Sequence, residues 1–179
     1  QGGAIYNTYN NPTITNCRFT DNNSDDSGGA IYNAQSTPSF TTCVFTGNTA
    51  ASAGGGMCNY QNFEPGSQVL LESCTFSNNS SNFYGGGIQN LYADIVISNC
   101  EFSGNSATLV AGGAISNDGS IINVSDCTFT NNDSGYAGAI FYQSSYGHAS
   151  NCIFESNNAT TYDGGAIYIY WKSHPTFSD

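Results

Sequence analysis

Two short motifs alternate along almost the whole chain, and this repeat restricts the fold more than any other feature. The first reads Gly-Gly-Ala-Ile-Tyr-Asn or a close variant, and it begins at Gly2, Gly28, Gly54, Gly85, Gly112, Ala137 and Gly164. The second reads Cys-x-Phe-x-x-Asn, and it begins at Cys17, Cys43, Cys74, Cys100, Cys127 and Cys152. A period of about 27 residues, kept over six copies, indicates a solenoid of stacked coils.

The residues inside each repeat predict short β-strands. Cys and Phe alternate with a variable residue, and this period of two is typical of a strand with one buried face. The Phe column consists of Phe19, Phe45, Phe76, Phe102, Phe129 and Phe154. One coil is too short to bury such a face, so the coils must stack in register. We therefore predict an all-β, right-handed parallel β-helix of about six to seven coils with 25 to 31 residues each, because crossovers between parallel strands favour the right hand.

Asparagine recurs at two positions of the repeat and predicts two ladders of side-chain amides. The first ladder follows the Phe column and comprises Asn22, Asn48, Asn79, Asn105, Asn132 and Asn157. The second ends the first motif and comprises Asn7, Asn33, Asn59, Asn90 and Asn117. Stacked Asn side chains are a known device of parallel strands in register, so we expect each amide to bond the next coil.

The pairing of Gly-Gly-Ala-Ile with Phe-x-x-Asn resembles the repeats of chlamydial polymorphic membrane proteins. It is also similar to the β-helix repeats of many bacterial and archaeal adhesin-like surface proteins. The resemblance covers essentially residues 1–179, which we expect to form a single β-helix domain and a segment of a longer array. It implies a surface-exposed passenger with an adhesive role.

Composition excludes several classes of partner. The only cationic side chains apart from histidine are Arg18 and Lys172, against 13 Asp and Glu, which gives a formal net charge of -11. Such a surface repels nucleic acid and anionic membranes. No run of 18 apolar residues is long enough to span a bilayer. A chain that is poor in Lys and rich in Asn, Thr, Tyr and Gly is more typical of extracellular or cell-surface proteins.

The cysteines and acids suggest no strong cofactor site. Six of the seven Cys lie in one column, and Cys58 takes the slot of Tyr6 and Tyr32. Because a Cys that recurs at an inward slot acts as a small buried hydrophobic residue, we favour free thiols over disulfides between neighbouring coils. No Cys pair has the close spacing of a zinc site. The strongest calcium candidate is the acidic cluster Asp21, Asp25 and Asp26, and this hypothesis is weak because the loop lacks a known calcium pattern.

The candidates for binding are residues of the insertion in the third coil and aromatic residues at or near one slot after the first motif, because aromatic rings can stack on sugars or anchor a protein. They are Tyr9, Tyr60, Phe63, Glu64, Tyr92, Tyr142, Tyr146 and Trp171, with the acidic Glu64 included for its place in the longest coil. The alternative is that these rings only cover hydrophobic seams of the rod.

We expect a non-catalytic, adhesin-like scaffold whose partner is a protein or glycan at a cell surface. Residues 175–179 match the segment before Cys17, so further coils or end-to-end stacking are expected, and a filament or sheath subunit is the structural alternative. A polysaccharide-active, pectate lyase-like enzyme ranks third, because lyase chemistry needs a cation and a base that two distant basic residues do not supply.

Overall fold

Each coil contains up to four short strands, which stack on the equivalent strands of the next coil to form four parallel sheets. The computed structural model describes residues 1–61, 67–161 and 164–179. The first sheet contains Ile5–Thr8, Ile31–Ala34, Met57–Tyr60, Ile88–Leu91, Ile115–Asp118, Ile140–Gln143 and Ile167–Tyr170. The second contains Thr13–Thr15, Ser39–Thr41, Val69–Glu72, Ile95–Ser98, Ile121–Ser125, Tyr146–Ser150 and His174–Ser178.

The third and fourth sheets complete the coil before the chain returns to the first sheet. The third contains Arg18–Thr20, Val44–Thr46, Thr75–Ser77, Glu101–Ser103, Thr128–Thr130 and Ile153–Glu155. The fourth contains Asn23–Ser24, Thr49–Ala50, Ser80–Ser81, Ser106–Ala107, Asp133–Ser134 and Asn158–Ala159. Equivalent residues of neighbouring coils lie 25 to 31 positions apart. The predicted all-β solenoid and its coil length are confirmed.

The core is a set of columns that run along the rod. The six Phe rings of the second motif stack with centroid separations of 4.4 to 5.1 Å and interplanar angles of at most 14°. Beside them, the first residue of each first-sheet strand supplies an aliphatic column, with Ile31 and Ile88 fully buried. Offset stacking of aromatic rings stabilises such columns beyond the effect of area burial alone.

Both predicted asparagine ladders are present. In the first, Asn48 donates from Nδ2 to Asn79 Oδ1 at 2.9 Å and to the carbonyl oxygen of Phe19 at 2.9 Å. The backbone N–H of Asn48 also donates to Asn79 Oδ1, at 3.0 Å. In the second ladder, Asn33 donates to Asn59 and Asn59 to Asn90, each at 2.8 Å. Buried amides that are satisfied in this way fix the register of the coils.

The glycine pairs of the first motif allow neighbouring coils to approach closely. Gly28 has φ of +69°, a region in which other residues are strained. A Cβ atom on Gly29 would lie 2.1 Å from the carbonyl oxygen of Gly55 in the next coil. These glycines therefore have a backbone role, because a side chain at either position would be strained or would clash with the next coil.

The cysteine column lies beside the Phe column, and the thiol sulfurs accept hydrogen bonds from the coil before. The backbone N–H of Cys43 points at Cys74 Sγ at 3.4 Å, and that of Cys74 points at Cys100 Sγ at 3.3 Å. All seven Cys are free thiols in this structure. Their oxidation state in the native environment stays a prediction.

Candidate binding groove

The side chains on the outer face of the first sheet differ from coil to coil. The first and third residues of each strand point into the core, so the second and fourth point outward. The second residues are Tyr6, Tyr32, Cys58, Gln89, Ser116, Phe141 and Tyr168. The fourth are Thr8, Ala34, Tyr60, Leu91, Asp118, Gln143 and Tyr170.

A wall beside this face turns it into a groove along the rod. The wall consists of residues between the fourth sheet and the next first-sheet strand, namely Ser27, Ser52, Ala53, Tyr84, Val110 and Tyr136. One stretch of the groove has a volume of about 490 Å³ and extends from Gln1 to Gln143. A second stretch of about 310 Å³ continues it to Tyr170, and the two share Tyr84, Phe141 and Gln143.

Gln89 places an unused hydrogen-bond acceptor in the floor of the groove. Its side chain is 5% exposed, and Nε2 donates to the backbone oxygen of Asn90 at 3.1 Å. That bond fixes the orientation of the amide, because a carbonyl oxygen only accepts. Oε1 then has no partner among the described residues. Buried polar atoms almost always have partners, so this atom is a candidate contact for a ligand.

Asp118 supplies a second acceptor in the next coil. It is half-buried, and Oδ2 accepts from Gln143 Nε2 at 3.2 Å. Burial raises the pKa of this carboxyl, and the bond from Gln143 opposes that shift. Among the described residues that line the groove, Asp118 is the only carboxylate, and none is Lys, Arg or His.

Aromatic rings cover much of the rest of the groove. Tyr6 and Tyr32 stack at 5.5 Å near one end. Phe141 stacks on Tyr168 at 5.9 Å near the other, and Tyr168 stacks on Tyr170 at 6.1 Å. Cys58 lies between the two groups, and burial raises the pKa of its thiol to about 12. Since the nucleophile is the thiolate, Cys58 is inert at neutral pH.

The sequence of this rod matches one family along its full length. That family is described as a right-handed beta helix region, and the match covers residues 1–113 and 61–179. The chain belongs to the right-handed β-helix family. Neither the curated proteins nor the solved structures gave a match to it. Because the β-helix fold serves both enzymes and non-enzymes, function must be argued from the groove.

Of the predicted binding residues that the structure describes, one lies in the groove lining, namely Tyr60. Tyr9, Tyr92 and Trp171 share one turn after the first sheet, where all three have positive φ and exposed rings. Tyr92 lies over Gly119 of the next coil, since a Cβ atom there would be 2.5 Å from its ring. These three rings are exposed but stand apart from the groove lining.

The expectation that Tyr142 belongs to a binding surface is wrong. It is fully buried, because it pairs in register with Asn117 and so takes an inward position of the first sheet. Tyr146 is half exposed on the second sheet, with its ring 5.9 Å from that of His174. Phe63 and Glu64 lie outside the described residues.

The acidic residues of the first coil are not brought together as a cluster of metal ligands. Within residues 1–61, 67–161 and 164–179, no three His, Cys, Asp or Glu side chains are placed to hold an ion together. Asp21 instead packs its carboxylate against Gly47 of the next coil. The calcium hypothesis therefore has no ligand cluster to support it there.

The outward residues Gln89, Asp118 and Gln143 were missed by sequence reasoning. In the first two coils the slot of Gln89 holds Tyr, and the slot of Asp118 and Gln143 holds Thr and then Ala; this change of residue type in an outward column is the signal that marks them. The described part of the chain contains no helix that is long and apolar enough to cross a bilayer.

Proposed function

We propose that this β-helix is a non-catalytic module of an extracellular surface protein and that its groove binds an extended glycan chain. The observation that carries the proposal is the groove itself, which runs along the rod and combines aromatic faces with the unpartnered Oε1 atom of Gln89. Binding sites of this kind join apolar contact area with a few fixed polar groups.

The chemistry of the groove suits a sugar polymer. Aromatic faces stack on the C–H faces of sugar rings, and amide and carboxylate groups bond their hydroxyls. The aromatic groups at Tyr32 and at Tyr168 lie several coils apart. A long ligand parallel to the rod reaches both of them, whereas a single sugar unit reaches one.

A surface location and an adhesive role are supported by the repeat motifs. Gly-Gly-Ala-Ile and Phe-x-x-Asn resemble the motifs of polymorphic membrane proteins and other adhesin-like passengers. The low share of charged residues, 8%, and the high content of Asn, Ser and Thr fit the same setting.

The groove supports binding without turnover. Glycoside hydrolysis uses two carboxyl groups on either side of the scissile bond. The described lining residues include one, Asp118, and the neighbouring thiol of Cys58 stays protonated at neutral pH. Non-catalytic binding therefore accounts for more of the site than a polysaccharide-active enzyme does.

The decisive experiment is glycan-array binding with the purified protein, followed by a test for reducing ends released from any glycan that binds. We expect binding with no release. Tyr84→Ala, which removes a ring shared by both stretches of the groove, should abolish most of the signal. Tyr146→Ala removes an exposed ring outside the groove and is the matched control. Equal loss in both variants, or release of reducing ends, contradicts the proposal.

A filament subunit remains the second candidate function. The feature that favours it is the repetition of Phe and Asn at the same slots of every coil. Because of this repetition, the last coil of one copy can stack on the first coil of another. Concentration-dependent growth of rods in sedimentation or electron microscopy supports this candidate, and a monomer at all concentrations rejects it.

A further inference from the structure

We propose that the groove selects an uncharged sugar unit, whose hydroxyl groups donate hydrogen bonds to Gln89 and Asp118. This inference rests on the proposed function, glycan binding, and it names the class of sugar. It is carried by two residues with hydrogen-bond acceptors that line the same stretch of the groove, and by the absence of Lys, Arg and His side chains among its described lining residues.

The first acceptor requires a donor from the ligand. Gln89 uses one N–H of its amide on the backbone oxygen of Asn90, while the buried Oε1 atom has no hydrogen-bond partner among the described residues. A ligand oxygen without a proton cannot bond Oε1 and leaves this buried acceptor unpaired. A sugar hydroxyl satisfies the atom, which is why a site of this kind discriminates against groups that only accept.

The second acceptor lies close to the first. Gln89 pairs in register with Ser116, and Asp118 is two residues further along that strand. Their Cα atoms are therefore roughly 8 Å apart, given the spacing of strands and the rise per residue. Gln143 occupies Oδ2 of Asp118, and Oδ1 has no hydrogen-bond partner among the described residues. One or two adjoining sugar units span both acceptors.

The charge of the site opposes acidic sugars. A uronate carboxylate placed beside Asp118 meets a like charge in a half-buried position, and no Lys, Arg or His among the described lining residues compensates it. The net charge of -11 adds repulsion at longer range. A hydroxymethyl group at the same position carries no such penalty and is also a donor.

The test uses hexasaccharides in matched pairs that share one linkage and differ only at C6, as the neutral sugar or its C6-oxidised uronic form. Binding is measured by calorimetry at neutral pH. We expect the tightest ligand to be neutral and to bind at least about tenfold more tightly than its uronic counterpart.

Two variants assign this preference to the named residues. Gln89→Met keeps the volume and removes the acceptor, so affinity for the neutral ligand should fall about tenfold while the melting temperature is not lowered. Asp118→Asn removes the charge, so the ratio of neutral to uronic affinity should fall at least about threefold. Asp133→Asn is the control, since Asp133 also accepts an amide from the next coil but lies outside the groove lining.

Several outcomes overturn the inference. It fails if a uronic form binds as tightly as its neutral counterpart, or if Gln89→Met binds like the wild type. It also fails if Asp118→Asn and Asp133→Asn have the same ratio of neutral to uronic affinity. Uronic binding that Tyr84→Ala abolishes overturns this inference and leaves the proposed function intact. Binding of no glycan by the folded wild type overturns both.

Discussion

Tyr142 is, with Gln89, one of the two described residues that have a buried polar side-chain atom without a hydrogen-bond partner. It occupies the slot that holds Asn33, Asn59, Asn90 and Asn117 in earlier coils, and its hydroxyl has no partner among the described residues. Burial raises the pKa of this phenol far above its ordinary value, so the hydroxyl stays protonated. The second Asn ladder consequently stops at Asn117, which donates to the carbonyl oxygen of Phe141 instead.

Removal of the Tyr142 hydroxyl should stabilise the protein. We expect Tyr142→Phe to raise the free energy of unfolding by about 1 kcal/mol, because an unpaired buried hydroxyl costs desolvation without a bond in return. Urea denaturation of both proteins measures the difference. Tyr146→Phe, at a half-exposed ring, should change nothing, and a loss of stability in Tyr142→Phe shows that the hydroxyl does have a partner.

Asp118 should make stability depend on pH. Its folded pKa is raised by burial, so the folded state favours the protonated acid. As the pH rises through the interval between the unfolded and folded pKa values, ionisation costs the folded state free energy. Asp118→Asn lacks this loss, so its stability relative to the wild type should increase from about pH 3 to pH 7. Denaturation at several pH values tests this, and a difference that shrinks with rising pH contradicts it.

At the scale of the element, the Asn ladders hold neighbouring coils in register. Asn105 accepts from the backbone and the side chain of Asn79 and donates to Asn132 and to the backbone of Phe76. All four bonds are buried. Replacement of one amide therefore leaves partners unpaired in both adjoining coils.

Asn105→Ala should lower the free energy of unfolding by about 3 kcal/mol or more, since each orphaned buried group costs about 1–3 kcal/mol. Asn82→Ala removes a single exposed bond to the backbone of Ala51 and should cost less than about 1 kcal/mol. Chemical denaturation of the pair provides the measurement. Equal effects in the two variants rule out a special role for the ladder.

The ladders were predictable from sequence, and the groove was not. Asn105 and Phe76 recur at a fixed spacing because every coil makes the same contact, so periodicity reveals them. Gln89 and Asp118 each occur once in their columns, and their importance depends on a wall from another part of the coil. Sequence reasoning looked to turns and insertions for binding residues, and it found Tyr60 among the groove residues but also chose the buried Tyr142.

At the scale of the whole molecule, the groove extends across all the coils. It extends from Gln1 and Tyr32 to Tyr170, a span of roughly 30 Å when six coil steps are counted at the spacing of parallel strands. A ligand that lies along it should therefore gain contacts with every added sugar until the groove is filled.

We expect affinity for a bound glycan to rise with chain length and to level off once the glycan is roughly 30 Å long. A series of oligosaccharides of increasing length, measured by calorimetry, tests this. Tyr170→Ala should lower the plateau without changing the affinity of the shortest ligands, because it removes a ring at one end only. A monosaccharide that binds as tightly as the longest member argues for a single local site.

The hydrogen bonds of the two Asn ladders also give the rod a direction. Asn48 donates forward to Asn79, and Asn33 donates forward to Asn59, so both rows of amide dipoles point the same way along the axis. In such a chain each amide polarises the next, and no single side chain can reverse without breaking the bonds on both of its sides. Coils can therefore be duplicated or exchanged in the same orientation, but a coil that runs the opposite way has no place in this structure.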